Sequence, residues 1–66
     1  MISVKDQDIN ELELIVVMDH LEKRGTQHAS VYRGNDCVWV ASGSSSCPIN
    51  EYFIFHKGQL VDIQID

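Results

Sequence analysis

Two cysteines and three histidines are the side chains with the greatest capacity for chemistry. Cys37, Cys47, His28 and His56 are ligand types that zinc accepts, but they lack the close Cys–Cys and His–His spacings of structural zinc sites. Cys47 and His56 would also suit a thiol nucleophile and its base, yet nothing in the sequence orients the histidine. We therefore expect no metal, no cofactor and no enzymatic activity.

The serine-rich segment Ser44–Ser46 precedes Cys47 and predicts a flexible loop. No glycine-rich loop leads into a helix, as a phosphate-binding loop requires. The N-terminus has no basic region followed by a long apolar stretch, so we expect no secretory signal, reduced thiols and a cytoplasmic location. A disulfide between Cys37 and Cys47 stays open as the alternative.

The length of 66 residues permits one small domain, here residues 1–66. Ten acidic residues outnumber five basic ones, and the formal net charge is −5. Direct binding to nucleic acid is not expected, because each phosphate contact needs a lysine or arginine. Apolar runs such as Leu14–Met18 are far shorter than the ~20 residues of a membrane span. A chain of this size is marginally stable alone and often gains stability from a partner or a second copy.

The N-terminal third predicts one helix, over about residues 7–24. Asp8 followed by Glu11 has the spacing of a capping box. Acids dominate the first half and Lys23 lies near the end, an order that complements the helix dipole. Gly25 then supplies the residue that stops the helix.

This helix carries apolar residues on two sides, whereas an ordinary surface helix has one apolar stripe. The first stripe contains Ile9, Leu12, Ile15 and Val16, and the second contains Leu14, Val17, Met18 and Leu21. Two stripes predict contacts on two sides, one against the chain's own sheet and one against another molecule. The alternative is a helix that a curled sheet half encloses.

After residue 27 the apolar residues alternate with a period of two, which is typical of strands. Strands are predicted at about 27–33, 36–42, 50–57 and 59–65, with two-residue turns at Gly34-Asn35 and Lys57-Gly58. The predicted fold is α+β, with one N-terminal helix packed on a four-stranded antiparallel β-meander.

The two turns set a register, and the register assigns two sheet faces. It places Val31 opposite Val38, Arg33 opposite Asp36, Ile54 opposite Val61 and Tyr52 opposite Ile63. The face predicted to lie under the helix is aliphatic: Ala29, Val31, Val38, Val40, Ile54, Val61, Ile63 and Ile65. The other face is mostly aromatic: Tyr32, Cys37, Trp39, Phe53, Phe55 and Leu60. The reverse assignment is the alternative, and either one leaves an apolar face uncovered.

An uncovered aromatic face on a rigid sheet is a suitable anchor for another protein. The acids of the helix serve solubility and capping, or alternatively dock on a basic partner. The residues predicted to bind a partner are Tyr32, Trp39, Phe53, Phe55, Leu60, Glu11, Glu13, Asp19 and Glu22.

We therefore predict a small acidic, non-enzymatic binding protein that regulates or inhibits a larger protein by occupying its surface. Self-association as a homodimer through the surplus apolar face is expected. One alternative is a structural or assembly module that acts as a homo-oligomer. The less favoured alternative is a small metal-binding or enzymatic subunit.

Overall fold

One helix and five strands make up the computed structural model, which describes all residues from 1 to 66. The elements are β1 (Ile2–Val4), α1 (Glu11–Lys23), β2 (Ala29–Gly34), β3 (Cys37–Gly43), β4 (Pro48–His56) and β5 (Gln59–Ile65). The strands form a single sheet in the order β1-β2-β3-β4-β5. The predicted α+β fold is confirmed, with one strand more than the sequence indicated.

The additional strand, β1, pairs in parallel with β2, with Ile2 opposite Ala29 and Val4 opposite Val31. Its ladder continues into the backbone bond from the Lys5 amide to the Val31 carbonyl oxygen, at 2.8 Å. Three residues are too few to show an alternating pattern, so periodicity does not predict this strand. Its addition makes the sheet mixed rather than purely antiparallel.

The helix starts four residues later than predicted because Asn10 caps it. The Asn10 side chain accepts a hydrogen bond from the Leu12 amide at 2.9 Å, as an N-cap residue does. The predicted capping box of Asp8 and Glu11 is therefore wrong, because Asp8 precedes the cap and Glu11 is the first helical residue. Asp6, further upstream, accepts a hydrogen bond from the Arg33 amide of β2 at 2.8 Å. The predicted end is confirmed within one residue, and Gly25 follows it with a φ of +75°.

The first hairpin turns at Asn35 and Asp36, one residue later than predicted. Gly34 pairs with Cys37, Tyr32 with Trp39 and Val31 with Val40. Each β2 residue therefore pairs two positions further along β3 than expected. A shift of two preserves the side-chain faces, but the predicted pair of Arg33 with Asp36 is wrong.

The last hairpin turns at Lys57-Gly58 as predicted, and Phe55 pairs with Leu60. A β-bulge then leaves Val61 without a partner and moves the remaining pairs by one residue. Phe53 lies opposite Ile63, so the predicted pairs of Ile54 with Val61 and of Tyr52 with Ile63 are wrong.

The hairpin between β3 and β4 decides which face each aromatic residue occupies. A four-residue connection, 44–47, places Val38 opposite Phe53 and Val40 opposite Glu51. Phe53 and Phe55 therefore lie under the helix with the valines, and Leu60 packs against the same core. The predicted grouping of Phe53, Phe55 and Leu60 with Trp39 is wrong.

The core lies between the helix and this one face of the sheet. Its members are Ile9, Val17, Leu21, Ala29, Val31, Val38, Val40, Phe53 and Phe55. Four residues of the predicted aliphatic face belong to it (Ala29, Val31, Val38 and Val40), and Ile63 packs against it. By the same register Ile54 lies on the opposite face, while Val61 and Ile65 are exposed.

Candidate protein-binding surfaces

The helix contacts the sheet partly through polar side chains. Arg24 Nη1 lies 2.5 Å from Glu51 Oε2, and Arg33 Nη1 lies 2.8 Å from Glu13 Oε1. Both carboxylates are buried, so each relies on its arginine for a charged hydrogen bond. Glu13 was predicted to bind a partner, but here it is an internal ion-pair member that faces the sheet.

Phe53 is fully buried and lies beneath this polar part of the helix. The His20 ring meets it edge-on at 5.8 Å between centroids, and the Arg24 guanidinium lies 5.9 Å from its centre. The cation–π contact adds to the Arg24 ion pair with Glu51. These contacts hold the polar side of the helix against the sheet.

The opposite side of the helix consequently exposes apolar residues. Leu12 is 71% exposed and Ile15 is 59% exposed. A shallow groove of about 430 Å³ runs along this side, and we call it the outer helix face. It is lined by Glu11, Leu14, Ile15, Met18, Asp19 and Glu22.

The outer helix face is acidic at both ends of its apolar centre. Glu11 lies at the start of the helix and Glu22 near its end, and neither has an ion-pair partner. Asp19 pairs with Lys23 at 3.0 Å, although both side chains remain largely exposed. This surface therefore combines exposed aliphatic groups with uncompensated negative charge.

The other uncovered surface lies on the far side of the sheet, and we call it the open sheet face. Tyr32, Trp39 and Tyr52 form an aromatic ladder across β2, β3 and β4. Ring centroids are 4.6 Å apart between Tyr32 and Trp39 and 6.5 Å apart between Trp39 and Tyr52, and both pairs are stacked. Trp39 Nε1 donates to Asn50 Oδ1 at 3.1 Å. The ladder is thus rigid, and the polar atom of Trp39 is already bonded.

The side chains around the ladder on the open sheet face are small, apolar, or polar but uncharged. The paired residues around the ladder are Ser30, Gly34, Cys37, Ala41 and Ile54. Its charged residues lie on the edge strands: Asp62 in β5, and Lys5 and Asp66, whose amides extend the β1 and β5 ladders to Val31 and Asn50. The centre of the open sheet face is therefore uncharged, whereas acids flank the centre of the outer helix face.

The residues predicted to bind a partner fall into three places. Tyr32 and Trp39 lie in the aromatic ladder, and Glu11, Asp19 and Glu22 lie on the outer helix face. Phe53, Phe55, Leu60 and Glu13 belong to the interface between helix and sheet. The ladder and the helix acids are on opposite sides of the molecule, so one flat partner cannot contact both.

Tyr52 is the ladder residue that sequence reasoning missed. Its face depends on the pairing between β3 and β4, which puts it opposite Trp39. The length of the connection at 44–47 would have revealed it, because one residue more or fewer reverses the face of every β4 side chain.

The residues considered for metal or thiol chemistry do not come together. Both cysteines are free, with Cys37 buried and Cys47 exposed. No three His, Cys, Asp or Glu side chains are arranged to hold a metal ion. The single helix has neither the length nor the apolar character that a membrane crossing requires.

Comparison with known proteins gives no match of this chain to a protein-family model, to a curated protein or to a solved structure.

Proposed function

We propose that the chain is a small, homodimeric, non-enzymatic binding protein of the cytoplasm that regulates or inhibits a larger protein by occupying its surface. The supporting observation is a pair of apolar surfaces on opposite sides of the molecule, of which only the outer helix face has unpaired acids flanking its apolar centre. The open sheet face binds a second copy of the chain. The outer helix face binds the larger protein.

The open sheet face suits a second copy because its aromatic centre is uncharged and its charged residues, Lys5, Asp62 and Asp66, lie at its edges. Trp39 already donates its ring N–H to Asn50, so burying the ladder leaves that donor satisfied. Tyr32, Trp39 and Tyr52 bring large areas on rigid strands, which limits the entropy lost on association. Two such sheets pack face to face at about 10 Å.

The outer helix face suits a different protein because its acids would repel a duplicate. Exposed Leu12 and Ile15 supply area that leaves water on binding. The surrounding carboxylates favour a partner of opposite charge and speed the encounter with it. A dimer joined at the open sheet faces leaves both outer helix faces free.

An assembly module is the second candidate, in which the dimer is the whole function. The aromatic ladder carries no charge, so this face can bind its own duplicate without a foreign partner. That property favours the assembly module independently of the outer helix face. The two candidates differ in one respect: only the regulator uses the outer helix face.

Capture from a cell extract by the immobilised full chain tests the regulator. We expect a retained protein whose yield falls about tenfold with Ile15→Ala, because a buried aliphatic side chain at an interface centre is lost. Val61→Ala is the matched control, since Val61 is 60% exposed and Ile15 59%. Retained proteins are identified and quantified by mass spectrometry.

Equal retention by wild type and Ile15→Ala would contradict the regulator. Failure of the wild type to retain any protein above the level of a blank resin would leave the assembly module as the function. Circular dichroism of each variant confirms that the helix is intact.

A further inference from the structure

We infer that the outer helix face docks a basic amphipathic helix of another protein, with an apolar stripe in the groove and lysines or arginines against its acids. The inference deepens the proposed function by naming the class of partner, and it rests on the outer helix face being the binding surface. It does not depend on the dimer.

The apolar centre of this face has the geometry of a helix-binding surface. At about 100° per residue, Ile15 lies about 160° around the helix from the buried Val17 and about 120° from the buried Leu21. Leu14 and Met18 are half-buried and form the wall beside it. Residues three and four apart on one helix form ridges and grooves into which the side chains of a second helix fit.

The charges flank this centre along the helix axis. Glu11 and Glu22 point to the same side and are separated by about 16 Å, or three turns. Neither is neutralised within the chain, whereas Asp19 has Lys23 as a neighbour. A partner helix with basic residues two to three turns apart places one cation near each glutamate.

A second copy of this chain is a poor occupant of the groove. In an antiparallel arrangement centred between Ile15 and Met18, Glu11 of one copy meets Glu22 of the other. In a parallel arrangement each glutamate meets its own duplicate. Like charges brought together at an interface oppose association, so the charge pattern selects a foreign, basic segment.

A synthetic peptide provides the probe. It is a labelled amphipathic helix of about 18 residues, long enough to be helical, built from leucine, lysine and alanine with lysines beside the leucine stripe. Its control peptide carries glutamate in place of lysine. Binding to the full chain is measured by fluorescence anisotropy at low and at physiological salt.

We expect micromolar binding of the lysine peptide and at least tenfold weaker binding of the glutamate peptide. Ile15→Ala weakens binding about tenfold, and Glu22→Gln weakens it about threefold at low salt and less at physiological salt. The matched controls Val61→Ala and Asp36→Asn leave the affinity unchanged. Asp36 carries the same single charge but is exposed in the turn between β2 and β3, outside both the outer helix face and the open sheet face.

Three results would overturn the inference. The lysine peptide fails to bind, the two peptides bind equally, or the control variants weaken binding as much as Ile15→Ala and Glu22→Gln do. If the chain captures a protein through Ile15 but does not bind the lysine peptide, the proposed function stands. Only the basic amphipathic helix is then excluded as the class of partner. A fourth overturning result is dimer dissociation by Ile15→Ala but not by Trp39→Ala, which would show that a second copy occupies the groove.

Discussion

At the scale of single residues, two ion pairs decide which side of the helix faces the sheet. Glu13 and Glu51 are buried carboxylates, one on the helix and one on β4, and each is paired with an arginine on the opposite layer. Rotating the helix to bury Ile15 would separate both pairs and leave charged groups without partners. The pairs therefore explain why Leu12 and Ile15 remain exposed.

The pair of Arg24 with Glu51 is open to a double-mutant cycle. Arg24→Met leaves the buried carboxylate of Glu51 unpaired, and we expect a loss of about 2 kcal/mol in the free energy of unfolding. Glu51→Met is expected to cost less, because the Arg24 side chain is 40% exposed and water can solvate it.

The double variant is expected to recover most of the loss, since two apolar side chains of similar length replace the pair. Urea denaturation measures all four proteins. Strictly additive losses would mean that the two residues do not stabilise each other.

At the scale of secondary-structure elements, the connections determine the faces of the sheet. The sequence predicted the helix, four of the strands and the Lys57-Gly58 turn, because periodicity and turn residues are local signals. It did not predict the β3–β4 register, because a serine-rich loop gives no turn type and hence no pairing. Without that register, the prediction placed Phe53 on the open sheet face and Tyr52 under the helix, whereas the structure has them the other way round. The β-bulge at Val61 was equally unreadable, since no residue there demands one.

Gly43 and Gly58 allow the β3–β4 connection to be tested against a matched turn. Both glycines have positive φ angles, +84° and +79°, so alanine is strained at either position. An added Cβ at Gly43 would lie 2.4 Å from the Cys47 carbonyl oxygen, whereas at Gly58 it meets nothing within 4 Å.

We expect Gly58→Ala to lower the free energy of unfolding by about 1 kcal/mol, and Gly43→Ala to lower it by at least about 3 kcal/mol. Thermal and urea denaturation of the two variants provide the comparison. Equal losses would show that the loop at 44–47 relaxes freely around the new methyl group.

At the scale of the whole molecule, a small core carries a large surface. Only 12 of the 66 residues are buried, and the accessible area is 4703 Å². A typical folded monomer of this mass exposes about 4,250 Å². The excess is consistent with surfaces that are covered by other molecules.

The open sheet face has a footprint of about 440 Å² on each protomer, from the usual strand spacing and residue rise. Two such footprints total about 880 Å², below the ~1,000 Å² of stable interfaces, so the proposed dimer is expected to be weak.

The proposed dimer would couple dimerisation to folding, so that stability would depend on protein concentration. We expect a mass near twice 7.5 kDa by light scattering at high micromolar concentration, with dissociation on dilution. The apparent free energy of unfolding should rise by about 1.4 kcal/mol per mole of dimer, or about 0.7 kcal/mol per chain, for each tenfold increase in protein concentration while the dimer persists.

Trp39→Ala should give a monomer whose stability no longer depends on concentration, because it removes the central ring of the ladder. Ile65→Ala is the control, since Ile65 is 69% exposed but pairs opposite Glu51 on the helix side of the sheet. A wild-type mass of one chain at every concentration would contradict the dimer.

The strand order has a kinetic consequence. Strands β2 to β5 are joined in sequence by short turns, so each of their pairings requires closure of only a few residues. β1 alone reaches its neighbour across the helix, with Ile2 paired to Ala29. Loop-closure entropy therefore favours early formation of the four-stranded meander during folding, while β1 docks late and is the first strand to fray.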